Sequence, residues 1–120
     1  MQSKKASSSQ FASTVDNPQT AEDFAERAWQ NYSRRAYEQA QADFRRSLDL
    51  NPDNADVMYA LGLCLAADGK SQEAISTFDD VIEYLSNRIT DETRVRYYML
   101  IRLSRGHINR IKTGEWRLQG

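Results

Sequence analysis

The chain matches itself at an offset of 34 residues, and this internal repeat limits what it can fold into. A period of that length is typical of helix–turn–helix units that stack into a solenoid. Small residues recur where two antiparallel helices must approach closely, and aromatic residues recur where they must fill the space between helix pairs. The matching pairs are Ala21 with Ala55, Phe24 with Met58, Ala28 with Gly62, Ala40 with Ala74, Phe44 with Phe78, Ser47 with Val81, and Leu48 with Ile82.

Local start and stop signals divide the chain into five predicted helices. Thr20 and Asp23 have the spacing of a helix start, while Gly69 and Gly114 are natural helix ends. Gly106 lies inside the last helix, which we expect to be continuous. After the first helix, which follows Thr20, the expected helices run over about 37–50, 55–68, 71–85 and 90–112.

Composition agrees with a thin helical fold. Hydrophobic residues make up 40% of the chain and charged residues 28%, and the few Gly and Pro disfavour a turn-rich β fold. Charge is distributed unevenly: residues 1–87 hold 8 Lys+Arg and 14 Asp+Glu, whereas residues 88–120 hold 8 and 3. The C-terminal part is therefore basic and the remainder acidic, so the two could attract each other or different partners.

The repeat also carries family features. The segment Tyr37-Glu38-Gln39-Ala40, followed by Phe44, Ser47-Leu48 and Pro52, resembles the second helix of a tetratricopeptide-repeat (TPR) unit, and Leu61-Gly62, Gly69, Ala74 and Phe78 repeat the match. The resemblance covers about residues 21–86. It implies an all-α helix–turn–helix solenoid with two TPR-like units, a C-terminal capping helix and a flexible tail before them. The expected boundaries are 1–20 for the tail and 21–120 for the domain, with units 21–54 and 55–88 and a cap over about 91–112.

The chain departs from the family pattern at four positions. Arg27 stands where the family usually has Leu, and Arg35 stands where Gly normally makes the inner turn. Ser71 replaces an aromatic residue, and Ser86 replaces the Pro that ends a unit. The last change predicts that the fourth helix runs on and that the repeat becomes irregular after it.

The resemblance implies a concave aromatic groove that binds a peptide or protein partner. TPR domains that hold chaperone carboxylates place Lys, Arg and Asn in this groove, whereas Ala25 and Trp29 occupy it here, so we expect a partner with apolar side chains instead. The predicted groove residues are Ala25, Trp29, Tyr32, Ser33, Asp56, Tyr59, Leu63, Ala66, Arg94 and Tyr98.

The chain carries no recognisable catalytic or cofactor-binding motif. It has one Cys, so a cysteine zinc cage is not available, and its one His has no neighbouring Cys or His in the sequence. We expect Cys64 to be a buried structural thiol and His107 to be a partly packed helix residue. The sequence therefore predicts a non-catalytic protein without a metal or cofactor.

The sequence also allows other kinds of partner. The last helix offers a basic surface at Arg102, Arg105 and Arg110, through which the chain could act as an assembly subunit or self-associate. Arg with nearby Tyr could also bind nucleic acid, but no nucleic-acid-binding fold signature is present, which disfavours that reading. No apolar segment has the length to span a bilayer, and we expect a cytoplasmic protein.

Overall fold

A computed structural model describes residues 16–114, and in this part of the chain every regular element is an α-helix. The all-α helical-repeat fold that the sequence predicts is confirmed. The predicted tail lies mostly outside the described residues. The helices are α1 (Ala21–Ser33), α2 (Tyr37–Leu50), α3 (Ala55–Ala67), α4 (Ser71–Ser86) and α5 (Arg94–Thr113).

The chain divides between Asp53 and Asn54 into two compact units. Unit 1 contains α1 packed on α2, and its first helix begins with a capping box. The Thr20 hydroxyl accepts a hydrogen bond from the Asp23 N–H at 3.1 Å, and the Asp23 carboxylate accepts one from the Thr20 N–H at 3.2 Å. These bonds satisfy N–H groups that have no partner within the helix.

Small and aromatic side chains occupy the interior of unit 1 as the repeat predicts. Ala28, Ala40 and Phe44 are fully buried. Ser47 is also buried, and its hydroxyl donates to the Ala21 carbonyl oxygen at 2.8 Å. That bond ties the second half of α2 to the first turn of α1.

In unit 2, α4 packs against both α3 and α5. Val81 and Leu85 on α4 form a buried cluster with Ile101 on α5. The helix α5 passes through buried Gly106 without a break and ends at Gly114, which adopts a left-handed φ of 79°. The expectation of one continuous last helix is thus confirmed, and α5 covers the apolar side of α4.

The two inner turns share one backbone geometry but differ in residue type. In each turn, the residue two places after the C-cap bonds back to the helix. The Ala36 N–H donates to the Asn31 carbonyl oxygen at 2.8 Å, and the Lys70 N–H donates to the Leu65 carbonyl oxygen at 2.9 Å. This closing pattern requires a left-handed residue just before the donor. Unit 2 places Gly69 there at φ 78°, whereas unit 1 places Arg35 there at φ 64°.

Replacing Arg35 by Gly should stabilise the protein by about 0.5–1 kcal/mol, because a side chain in the left-handed region is strained and Gly is not. The reverse change, Gly69→Arg, should destabilise it by about 1 kcal/mol through backbone strain alone, since a Cβ there meets nothing within 4 Å. Urea unfolding of both variants measures the effects. Equal shifts of the same sign in the two variants would contradict this explanation.

Candidate functional site

The aromatic face of unit 1 is built around Trp29. The Trp29 side chain is 44% exposed although it is the largest apolar group of the unit. Its ring stands edge-on to Tyr32, with centroids 5.6 Å apart, and edge-on to Phe44 at 5.3 Å. Tyr32 in turn lies 5.6 Å from Tyr37 on α2. These contacts hold an exposed indole in a fixed orientation.

A charged network fixes α1 to α2 below this face. Arg27 donates two hydrogen bonds to the Asp43 carboxylate, both at 2.9 Å, and the Asn31 amide donates a third at 3.1 Å. Asp43 is only 5% exposed. The hydrogen bonding that Arg27 donates to Asp43 is the main cause that raises the pKa of Arg27. Arg27 therefore has a structural role at a position where the family usually has Leu. Its positive charge compensates the buried Asp43 carboxylate.

In unit 2, two side chains of α5 reach residues of α3. Arg96 forms an ion pair with Asp56 near the start of α3. Farther along, His107 Nε2 and the Tyr59 hydroxyl share a hydrogen bond at 2.9 Å. The imidazole also stacks on buried Phe78, with an interplanar angle of 8° and centroids 4.9 Å apart. Two of the predicted groove residues, Asp56 and Tyr59, are thus linked to α5.

The surroundings of His107 keep its imidazole neutral. Burial, together with the positive charge of Arg110, lowers its pKa from 6.5 to about 4. The unprotonated nitrogen of a neutral ring can accept a hydrogen bond from the Tyr59 hydroxyl, whereas an imidazolium has no acceptor nitrogen. With its ring enclosed by Phe78 and Tyr59, His107 has a packing role, as the sequence predicts.

Lowering the pH should reveal the packing role of His107 as a loss of folding stability. The folded-state pKa lies below the unfolded value, so the unfolded chain takes up the proton first and stability is lost as pH falls from about 6.5 to 4. We expect a loss of roughly 2–3 kcal/mol, allowing for partial exposure of the ring. The variant His107→Gln should lack this component. Unfolding curves of both proteins between pH 7 and pH 4 test it, and parallel losses would contradict it.

The remaining predicted groove residues differ in setting. Ala25, Leu63 and Ala66 are half-buried, and Ser33 is exposed with its hydroxyl bonded to the Gln30 carbonyl oxygen at 2.8 Å. On α5, Arg94 pairs with Asp91 in the preceding loop, and Tyr98 lies on the exposed outer face. Arg96 and His107 are α5 side chains that form polar contacts with α3, and the sequence did not predict these contacts.

The outer face of α5 carries the basic residues that the sequence singled out. Arg102, Arg105 and Arg110 are all exposed. The same helix also carries an exposed apolar stripe that the sequence analysis did not predict, in which Val95 is 77% and Met99 is 56% exposed. The spacing of Val95 and Met99, four residues apart on a helix, was the available signal.

Cys64 and the acidic side chains are the remaining candidates for chemistry between residues 16 and 114. Cys64 is buried, and burial raises its pKa to about 11, which agrees with the predicted structural thiol. No group of three or more His, Cys, Asp or Glu side chains in this range could hold a metal ion. None of the helices described here combines the length and apolarity needed to cross a membrane.

Comparison with known proteins identifies the family. A family model described as tetratricopeptide repeat matches residues 23–87, a little over half of the chain. Neither the curated proteins nor the solved structures gave a match. Repeats of this family generally serve as non-enzymatic protein-interaction modules. The chain belongs to the tetratricopeptide repeat family.

Proposed function

We propose that this protein is a non-catalytic adaptor that binds an apolar segment of a partner protein through the exposed face of α1, with Trp29 as the main contact. The observation that supports it is an indole that is 44% exposed and yet held edge-on by Tyr32 and Phe44. Trp and Tyr are the residue types that dominate binding energy at interfaces.

The physical argument is one of preorganisation. A side chain that is already fixed loses little rotational freedom on binding, so more of the energy gained by burying its apolar surface becomes affinity. The Arg27–Asp43 ion pair below it contributes by holding α1 and α2 in register. The face therefore offers apolar area at a low entropic cost.

The predicted groove residues of unit 2 lie on α3 and stay a prediction of their own. Leu63 and Ala66 are half-buried and present apolar atoms, while Asp56 and Tyr59 are engaged by Arg96 and His107. Within unit 2, Tyr59 mainly holds α5 through its hydrogen bond with His107. The predicted cytoplasmic location stays a prediction.

The test is a pull-down from the native lysate with the full chain as bait, read by mass spectrometry. Trp29→Ala should lose a partner that the wild type retains, while its circular dichroism stays unchanged. The matched control is Leu50→Ala, which removes an exposed apolar side chain of the same unit at the end of α2. A partner retained by Trp29→Ala as well as by Leu50→Ala would refute the proposed face.

A further inference from the structure

The outward side of α5 is an apolar face in its own right. Val95, Met99 and Leu103 follow each other at four-residue spacing, and the first two are more than half exposed. With Tyr98 and Arg102 they line an open cavity of about 410 Å³. We call these five residues the α5 stripe. Its side chains project away from Ile101 and Ser104, which face the core.

All the charged side chains that α5 itself carries are basic. The helix from Arg94 to Thr113 contains six Lys and Arg residues and no Asp or Glu. Arg94 pairs with Asp91 and Arg96 pairs with Asp56. No ion pair between residues 16 and 114 involves Arg102, Arg105 or Arg110. The apolar surface therefore lies on a helix with arginines that form no ion pair within the described residues.

We propose that the α5 stripe binds an acidic amphipathic helix of a partner protein. Such a helix has apolar residues at i, i+3 or i+4, and i+7, which would pack along Val95, Met99 and Leu103, with Glu or Asp beside them to reach Arg102 and Arg105. The α5 stripe belongs to unit 2, whereas Trp29 belongs to unit 1, and this proposal goes beyond the adaptor function proposed above.

Charge and apolar area together favour an acidic helix over a second copy of the chain or a nucleic acid as the occupant of the α5 stripe. A second copy docking through the same face would bring arginines against arginines, which opposes association. Nucleic acid would satisfy the arginines, but it would leave the aliphatic atoms of Val95, Met99 and Leu103 without an apolar partner. An acidic helix satisfies both the charge and the apolar area.

The test uses a fluorescent helical peptide of about 14 residues, long enough to cover the α5 stripe. Its apolar face is Leu and its flanks are Glu. Two matched peptides replace every Leu by Ser or every Glu by Lys. Anisotropy with the full chain should show binding of the Leu/Glu peptide, and binding at least about ten-fold weaker for each matched peptide.

Variants of the chain localise the binding. Val95→Ser/Met99→Ser and Arg102→Glu/Arg105→Glu should each weaken binding of the Leu/Glu peptide about ten-fold or more. Arg34→Glu, a charge reversal at an exposed position of unit 1, and Trp29→Ala should leave it unchanged. If the peptide does not bind the α5 stripe, the proposal for Trp29 is unaffected. If Trp29→Ala retains the partner, the proposal for the α5 stripe is likewise unaffected.

Three other results would overturn the proposal. One is a single-stranded oligonucleotide that binds more tightly than the peptide and is lost in Arg102→Glu/Arg105→Glu. A second is a dimer in sedimentation that Val95→Ser/Met99→Ser dissociates, which would make the occupant another copy. The third is equal binding of all three peptides to the full chain, which would mean that neither the apolar face nor the acidic flanks are recognised.

Discussion

Replacing Arg27 by Leu is expected to destabilise the protein by about 2–3 kcal/mol, even though Leu is the residue usual at this position of the repeat. The change leaves the Asp43 carboxylate buried, with Asn31 as its remaining donor in this network. A buried charge without its counter-ion is costly because it has lost water and gained no compensation. The effect falls below that of a fully buried pair because the Arg27 side chain keeps 35% exposure.

The companion variant makes this prediction specific. Arg27→Leu/Asp43→Ala removes both charges, so it should recover all but about 1 kcal/mol of the loss. Asp49→Ala removes an exposed carboxylate of the same helix and should change stability by less than about 0.5 kcal/mol. Urea unfolding measures all three. If the double variant is less stable than Arg27→Leu, the ion pair is not the cause.

Gly62→Ala should lower the free energy of unfolding by about 2 kcal/mol, although Ala is the better helix former by about 1 kcal/mol. A Cβ at position 62 would lie 2.7 Å from Phe78 Cε1 and 2.9 Å from Phe78 Cζ. The Phe78 ring is fully buried, and it is stacked on His107 and in contact with Tyr59. It therefore cannot withdraw without disturbing both neighbours.

A double-mutant cycle separates the clash from other effects. Phe78→Leu should destabilise the wild type by about 1 kcal/mol or more, but should cost little in the Gly62→Ala background because it makes room for the methyl group. Thermal unfolding of the four proteins gives the coupling energy. A stabilising Gly62→Ala would mean that helix propensity outweighs the contact and would contradict the packing described here.

Local rules account for the parts of the fold that the sequence predicted. The helix start at Thr20, the turn at Gly69 and the stop at Gly114 each depend on a few neighbouring residues, and the helices begin and end within a few residues of the expected positions. The repeat itself placed Phe44 and Phe78 in the interior, since both are fully buried.

Long-range pairings could not be predicted in the same way. Arg27 was recognised as a departure, but its partner Asp43 is one of many acidic residues, and choosing it requires the packing of α2 on α1. On α5 the repeat no longer sets the rotation of the helix. Extending the repeat register selected Arg94 and Tyr98, whereas the polar contacts with α3 are made by Arg96 and His107.

The central claim is that the α1 face around Trp29 contacts the partner, and site-specific photocrosslinking tests it most directly. A photoreactive phenylalanine analogue is placed at position 29 in the full chain and, as a control, at exposed position 50 of the same unit. Irradiation in native cells should give a discrete protein adduct from position 29 and none from position 50. Adducts from position 50 alone, or none from position 29 while the partner still co-purifies, would contradict the claim.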